Sequence, residues 1–127
     1  MIKKILLLVV FCAVVFSVQA SALEVVDATI TTAIENRMPV DKIEVYPADF
    51  GKLYYFTRIV GASEETQVAH VWYYEDQEMA RVPLAVQSAD WRTFSSKRFL
   101  PQWRGQWSVV VEDEQGDALA EVTFRLE

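Results

Sequence analysis

TQVAHVWYYEDQEMARVPLAVQ, residues 66–87, reads as two alternating runs joined by an acidic break at Glu75-Asp76-Gln77. Alternation is the period of a β-strand, whose successive side chains point to opposite sides. In residues 66–74 it sets Val68, His70, Trp72 and Tyr74 on one face and Ala69, Val71 and Tyr73 on the other. Pro83 has no N–H to give to a ladder, so the second run is expected to be an edge strand or to carry a bulge there.

The same pattern repeats on both sides of this pair. LEVVDATIT (23–31) and KLYYFTRIVG (52–61) precede it; WRTFSSKRF (91–99), GQWSVVVED (105–113) and ALAEVTFRL (118–126) follow. The seven runs are rich in Val, Tyr, Phe, Trp and Thr, which suit a pleated, half-buried surface. Glycine-bearing breaks at Gly61-Ala62-Ser63 and Gln115-Gly116-Asp117 supply turns. ENRMPVDKIEVYPADFG (35–51), with two prolines, reads as one long connection. Seven short antiparallel strands with a Trp in the third predict an all-β, immunoglobulin-like β-sandwich, with a small β-barrel as the alternative. No linker, repeat or low-complexity tract divides the chain, so residues 21–127 are expected to form one domain.

Residues 1–20 carry a different grammar. Lys3 and Lys4 precede a 14-residue apolar run, Ile5–Val18, and Val18-Gln19-Ala20 ends it with small residues. This order predicts a cleavable signal peptide, cut after Ala20 or, as second choice, after Ala22. The run is shorter than the ~18–20 residues that span a bilayer, so no membrane span is expected after cleavage. Periplasmic or secreted localisation follows. The only cysteine, Cys12, lies in this run, so the exported remainder must be stable without disulfides. At that length a single core suffices.

Cleavage also removes two of the twelve bases and takes the net charge from −6 to −8. An acidic chain is poorly suited to nucleic acid, where affinity comes from releasing phosphate counterions.

Against that acidity WRTFSSKRF stands out, with Arg92, Lys97 and Arg98 beside Ser95 and Ser96. Such a basic, hydroxyl-rich island can hold a carboxylate, sulfate or phosphate. The competing reading has Arg92 paired internally and Lys97 and Arg98 merely solubilising an edge. Neither face of this run is clearly apolar, so a bulge or early end near Thr93 is expected, with Trp91 and Phe94 anchoring the strand.

His70, the only histidine, could shuttle protons or bind a metal. A half-buried histidine bonded to an acceptor beside Trp72 is the favoured reading, and with no second histidine or thiolate no metal site is expected. Trp72 and Trp107 are assigned to the core. Trp103, in the PQWRGQ loop, is the aromatic best placed for binding.

Catalytic sets are weak. Ser95 or Ser96 with His70 lacks a nucleophile elbow, and the acidic pairs sit in turns without a spaced calcium loop.

HVWYY, ARVPLAV, WRTFSSK, GQWSVVVEDEQGDAL and VTFRL, taken together, resemble the bacterial domain of unknown function 2914 family. The resemblance runs from about Ala22 to Leu126 and is most specific at Trp91-Arg92 with Ser95-Ser96-Lys97. Phe94 departs from it, standing where Trp or a similar ring is expected. It implies a small exported or membrane-tethered bacterial β-domain and no activity.

The expectation is therefore a non-enzymatic exported binding module without cofactor, meeting an envelope protein or a cell-wall glycan. Its candidate binding residues are Arg92, Ser95, Lys97, Trp103 and His70, with no catalytic residue assigned. A purely structural immunoglobulin-like domain and a hydrolase using His70 are the alternatives.

Overall fold

A computed structural model describes residues 22–127. The expected signal peptide, residues 1–20, lies outside the described residues. Among those described there are strands and no helices.

Each of the seven alternating runs forms a strand: β1 (Glu24–Thr31), β5 (Lys52–Val60), β6 (Thr66–Tyr74), β7 (Gln77–Val86), β8 (Asp90–Arg98), β9 (Gly105–Glu112) and β10 (Ala118–Leu126). Three two-residue strands add to them inside the long connection: β2 (Ile34–Glu35), β3 (Met38–Pro39) and β4 (Val45–Tyr46). Their partners explain why sequence left them as loop. β2 and β3 pair only with each other, while β4 joins β10 in parallel, a contact far along the chain. Backbone bonds from Ile43 N to Ile30 O (2.8 Å) and from Arg125 N to Glu44 O (2.9 Å) tie this segment to both sheets.

Two larger sheets result. Sheet I has the antiparallel order β1-β5-β8; sheet II has the order β4-β10-β9-β6-β7. Neither closes, so the barrel alternative is not what the described residues form. Their inner faces share one core. Ile30, Leu53, Tyr55 and Ile59 come from sheet I; Val68, Trp72, Trp107, Val109, Val111 and Phe124 come from sheet II. The arrangement is sandwich-like.

At the centre Phe99 meets Trp107 edge-on at 4.9 Å and Trp72 at 6.2 Å, and Trp107 stacks on Phe124 at 6.1 Å. Trp72 and Trp107 are fully buried, as expected. Such large rings substitute for the absent disulfides, since each removes some 150–250 Å² from water. Pro83 lies on β7, the outer strand of sheet II, where its missing N–H faces no ladder partner.

Two turns use residues other than glycine in the left-handed region. Asn36 and Arg37 (φ 51° and 61°) close the β2–β3 hairpin; Glu75 and Asp76 (φ 45° and 67°) close β6–β7. Paired positive φ is the two-residue hairpin geometry that follows strand twist. At Gly61 (φ 93°) the requirement is double, because a Cβ there would collide with the carbonyl of Ala22.

Candidate functional site

β8 is regular. Its register with β5 runs unbroken from Asp90 opposite Val60 to Arg98 opposite Lys52. The bulge or early end expected near Thr93 is absent, and the two faces of β8 are cleanly separated. Trp91, Thr93, Ser95 and Lys97 turn inward; Arg92, Phe94, Ser96 and Arg98 turn outward. Phe94 is 48% exposed and does not anchor the strand to the core; that task falls to Trp91 and, just past the strand, Phe99. The candidate residues are thereby divided among three places.

The first is the core. His70, from β6, is fully buried and reaches across to sheet I. Its Nδ1 lies 2.7 Å from Ser95 Oγ, and its Nε2 lies 3.0 Å from Thr57 Oγ1. Trp72 donates its Nε1–H to the same Ser95 oxygen at 3.1 Å, and Thr57 Oγ1 donates to the carbonyl of Thr93 at 3.5 Å.

Proton accounting selects one pattern. If Nδ1 carried the proton, Ser95 Oγ would accept two hydrogens and its own would find no acceptor. With the proton on Nε2, every donor has a partner: Trp72 N–H to Ser95, Ser95 O–H to Nδ1, Nε2–H to Thr57, Thr57 O–H to Thr93. His70 is therefore the Nε2–H tautomer and neutral. Burial pushes its pKa down to about 3.

Tyr55 packs against the imidazole at 4.6 Å between ring centroids, and its hydroxyl, also buried, has no hydrogen-bond partner. Desolvation, with Glu121 adding to it, raises the Tyr55 pKa well above that of a free phenol. His70 is thus fully rather than half buried. Ser95 is only 5% exposed. The pair is close enough for proton transfer, yet among the described residues no carboxylate is bonded to it, and His70 is fully buried.

The second place is the end of β8. The Lys97 ammonium stands 4.8 Å over the ring of Trp103, and partial burial lowers its pKa. Trp103 is partly buried, and its carbonyl accepts the indole N–H of Trp107 at 3.0 Å. It is a lid over the core with a cation resting on it.

The third place is the outer face of sheet I, where Arg92 lies. The register builds four rows between β5 and β8: Lys52·Arg98, Tyr54·Ser96, Phe56·Phe94 and Arg58·Arg92. Two of the four set like charges directly opposite one another, an arrangement that costs stability. Arg58 is neutralised by Asp90, with bonds of 2.9 and 2.6 Å from Nε and Nη2. Lys52 lies 4.9 Å from the Tyr54 ring centroid, and Arg98 donates to the carbonyl of Phe50 at 3.2 Å. Among the described residues none of Arg37, Lys52, Arg92 and Arg98 forms an ion pair.

The β2–β3 hairpin covers part of this face, which is why Phe56 is 1% exposed although it points outward. Beside the hairpin a groove of about 200 Å³ is lined by Ile34, Arg37, Phe56, Arg92, Thr93 and Phe94. Arg92 Nη1 makes only long contacts there, 3.5 Å to the Arg37 carbonyl and 3.4 Å to Met38 Sδ.

Structure thus brings His70 and Ser95 together and separates both from Arg92 and from Lys97 with Trp103. Sequence reasoning missed Thr57, Lys52, Arg58 and Arg37. Thr57 had a signal: KLYYFTRIV alternates Leu53, Tyr55, Thr57, Ile59, and a hydroxyl on an apolar face requires a partner. Arg37 had none, since the hairpin that carries it folds back by tertiary contact. Among the described residues no group of three His, Cys, Asp or Glu side chains is placed to hold a metal ion, and no helix is long and apolar enough to cross a membrane.

These features define a small two-sheet all-β domain with a sealed polar core and a basic, aromatic outer face. The family model described as "Protein of unknown function (DUF2914)" matches residues 65–126. The match takes in β6 to β10; β1 to β5 precede it, so it is shorter than the resemblance read from sequence.

No curated protein matches the chain. Among solved structures, a mutant (D270A) β-glucosidase from Listeria innocua in complex with laminaribiose has a TM-score of 0.45 at 8% identity, covering 83% of this chain and 16% of that one. The β-glucosidase from Listeria innocua has a TM-score of 0.44 at 9% identity, covering 82% and 15%. The chain spans about a sixth of the length of these proteins.

Proposed function

We propose that the protein is a non-enzymatic interaction module of the bacterial cell envelope, an immunoglobulin-like sandwich exported to the periplasm or beyond, that engages an anionic partner through the outer face of sheet I. The observation that carries this reading is the pair of like-charge rows, Lys52·Arg98 and Arg58·Arg92, around the exposed ring of Phe94. Five of the ten bases between residues 22 and 127 (Arg37, Lys52, Arg58, Arg92 and Arg98) belong to this face or to the hairpin over it, on an acidic chain. Asp90 and Asp27 offset Arg58, but Lys52, Arg98 and Arg92 have no ion-pair partner among the described residues, and unpaired cations set side by side are costly unless a ligand supplies the anions.

Arg92 remains in the proposed contact surface. Ser95 and His70 move to a structural role, and Lys97 with Trp103 forms a separate, smaller contact. A purely structural reading draws support from the sealed His70 network. A hydrolase reading has the 2.7 Å Ser95–His70 contact in its favour and burial against it.

The test is charge reversal. Lys52→Glu with Arg92→Glu should abolish retention of the purified protein on an anionic matrix such as heparin or polyglutamate, at unchanged circular dichroism. Lys97→Ala should leave retention as it was. Equal retention of the reversed and parent proteins would overturn the reading.

A further inference from the structure

We infer that the groove between the β2–β3 hairpin and β8 is a subsite for a carboxylate-bearing pyranose, a uronic-acid unit of an acidic polysaccharide. The inference rests on the proposed use of sheet I's outer face and names the ligand class for it. Three observations combine.

The groove pairs an apolar floor with cations. Phe56, Phe94 and Ile34 supply apolar surface, and two arginines, Arg37 and Arg92, line the same small volume, about 200 Å³. Neither guanidinium is within ion-pair distance of an acid, and Asp90, the acid that also acts on Arg92, is already held by Arg58. A forked donor in that state matches a carboxylate.

The position on a sheet face selects a sugar over a peptide. Backbone N–H and C=O groups of a sheet lie in its plane and are spent on neighbouring strands, so a face offers only side chains. An extended peptide laid there would leave its own amides unpaired, whereas peptides are normally taken up at sheet edges. A pyranose carries its polar groups around its rim and turns an apolar C–H face outward, which suits the exposed ring of Phe94.

The face also continues beyond the groove. Lys52·Arg98 lies six residues along β5 from Arg58·Arg92, or roughly 20 Å at strand rise. A second cationic row at that distance, with Tyr54 and Ser96 between, fits a chain of repeating acidic units rather than one isolated anion. Other concavities serve less well. The one of about 370 Å³ on sheet II is lined by Asp76, Glu112 and Glu121, and Glu112 is already bonded to Arg81 at 3.2 Å.

Titration of the exported protein with oligogalacturonate, oligoglutamate and a neutral oligoglucan, followed by NMR shifts and calorimetry, separates the outcomes. Expected are binding of oligogalacturonate alone or most tightly, shifts centred on Phe94 and Thr93, and a loss of about tenfold or more with Arg92→Ala. Phe94→Ala should weaken oligogalacturonate while leaving any residual oligoglutamate binding unchanged.

Equal or tighter binding of oligoglutamate overturns the sugar assignment and leaves the anionic-partner reading standing. Binding of neither acidic probe overturns both. Binding of oligogalacturonate that Arg92→Ala and Phe94→Ala do not alter overturns the groove. The His70 imidazole resonances report whether each variant keeps its fold.

Discussion

Ser95 is the keystone of the buried network, because two groups depend on one oxygen. Ser95→Ala leaves both the Trp72 N–H and His70 Nδ1 without a partner, and each buried orphan costs about 1–3 kcal/mol. The expected loss is about 2–4 kcal/mol in urea unfolding followed by tryptophan fluorescence. Thr57→Val, nearly isosteric, orphans only the Nε2–H and should cost about 1–3 kcal/mol. Losses below 0.5 kcal/mol in both would mean that the network does not hold the two sheets together.

His70 also ties stability to pH. Its pKa is about 3 when folded, against 6.5 for the free side chain. Between these values the unfolded chain binds the proton and the folded one does not, so stability rises with pH. The stabilising effect is complete above pH 6.5 and is lost as pH falls towards about 3, with an upper bound of about 5 kcal/mol at 1.4 kcal/mol per unit. Unfolding free energies measured from pH 7 to pH 5 should slope more steeply in the parent than in His70→Gln. Equal slopes would show that the histidine is not the titrating group.

At the scale of elements, β5 and β8 keep a conflict that a purely structural sheet would avoid. Arg98→Glu converts the Lys52·Arg98 row into an opposite-charge pair and should stabilise the fold by about 0.2–1 kcal/mol in thermal melts. The same substitution should weaken binding of an acidic ligand. A gain in stability with no loss of binding would assign the row no function. The β2–β3 hairpin holds a second local cost, since Arg37 sits at φ 61°. Arg37→Gly should recover roughly 1 kcal/mol, because glycine occupies that region freely, while removing a cationic side chain from a residue that lines the groove.

The molecule as a whole relies on one aromatic core, with no thiol between residues 22 and 127. Its thermal midpoint should be the same with and without dithiothreitol; a shift would contradict a disulfide-free fold. Strand positions were legible because alternation is local. Val68, His70, Trp72 and Tyr74 announce one face by side-chain spacing alone, and turn residues mark where each run ends. Trp72 and Trp107 were legible as core because each shares its strand face with valines, Val68 beside Trp72 and Val109 and Val111 beside Trp107.

β8 was not legible in this way. Its inward set (Trp91, Thr93, Ser95, Lys97) is no more apolar than its outward set (Arg92, Phe94, Ser96, Arg98), so composition could not say which side was inside. Pairing with β5 decided it, and a slip of one residue would have exchanged the two sets.

The sequence by itself determined the all-β class, the seven long strands and the resemblance now shown over residues 65–126. The reason is that period-two alternation, turn chemistry and family motifs are all written in neighbouring residues. Only tertiary structure decided that Ser95 lies inside with His70 while Arg92 lies outside beside Arg37. Those contacts join residues 25 and 55 positions apart, and nothing in either neighbourhood specifies the other.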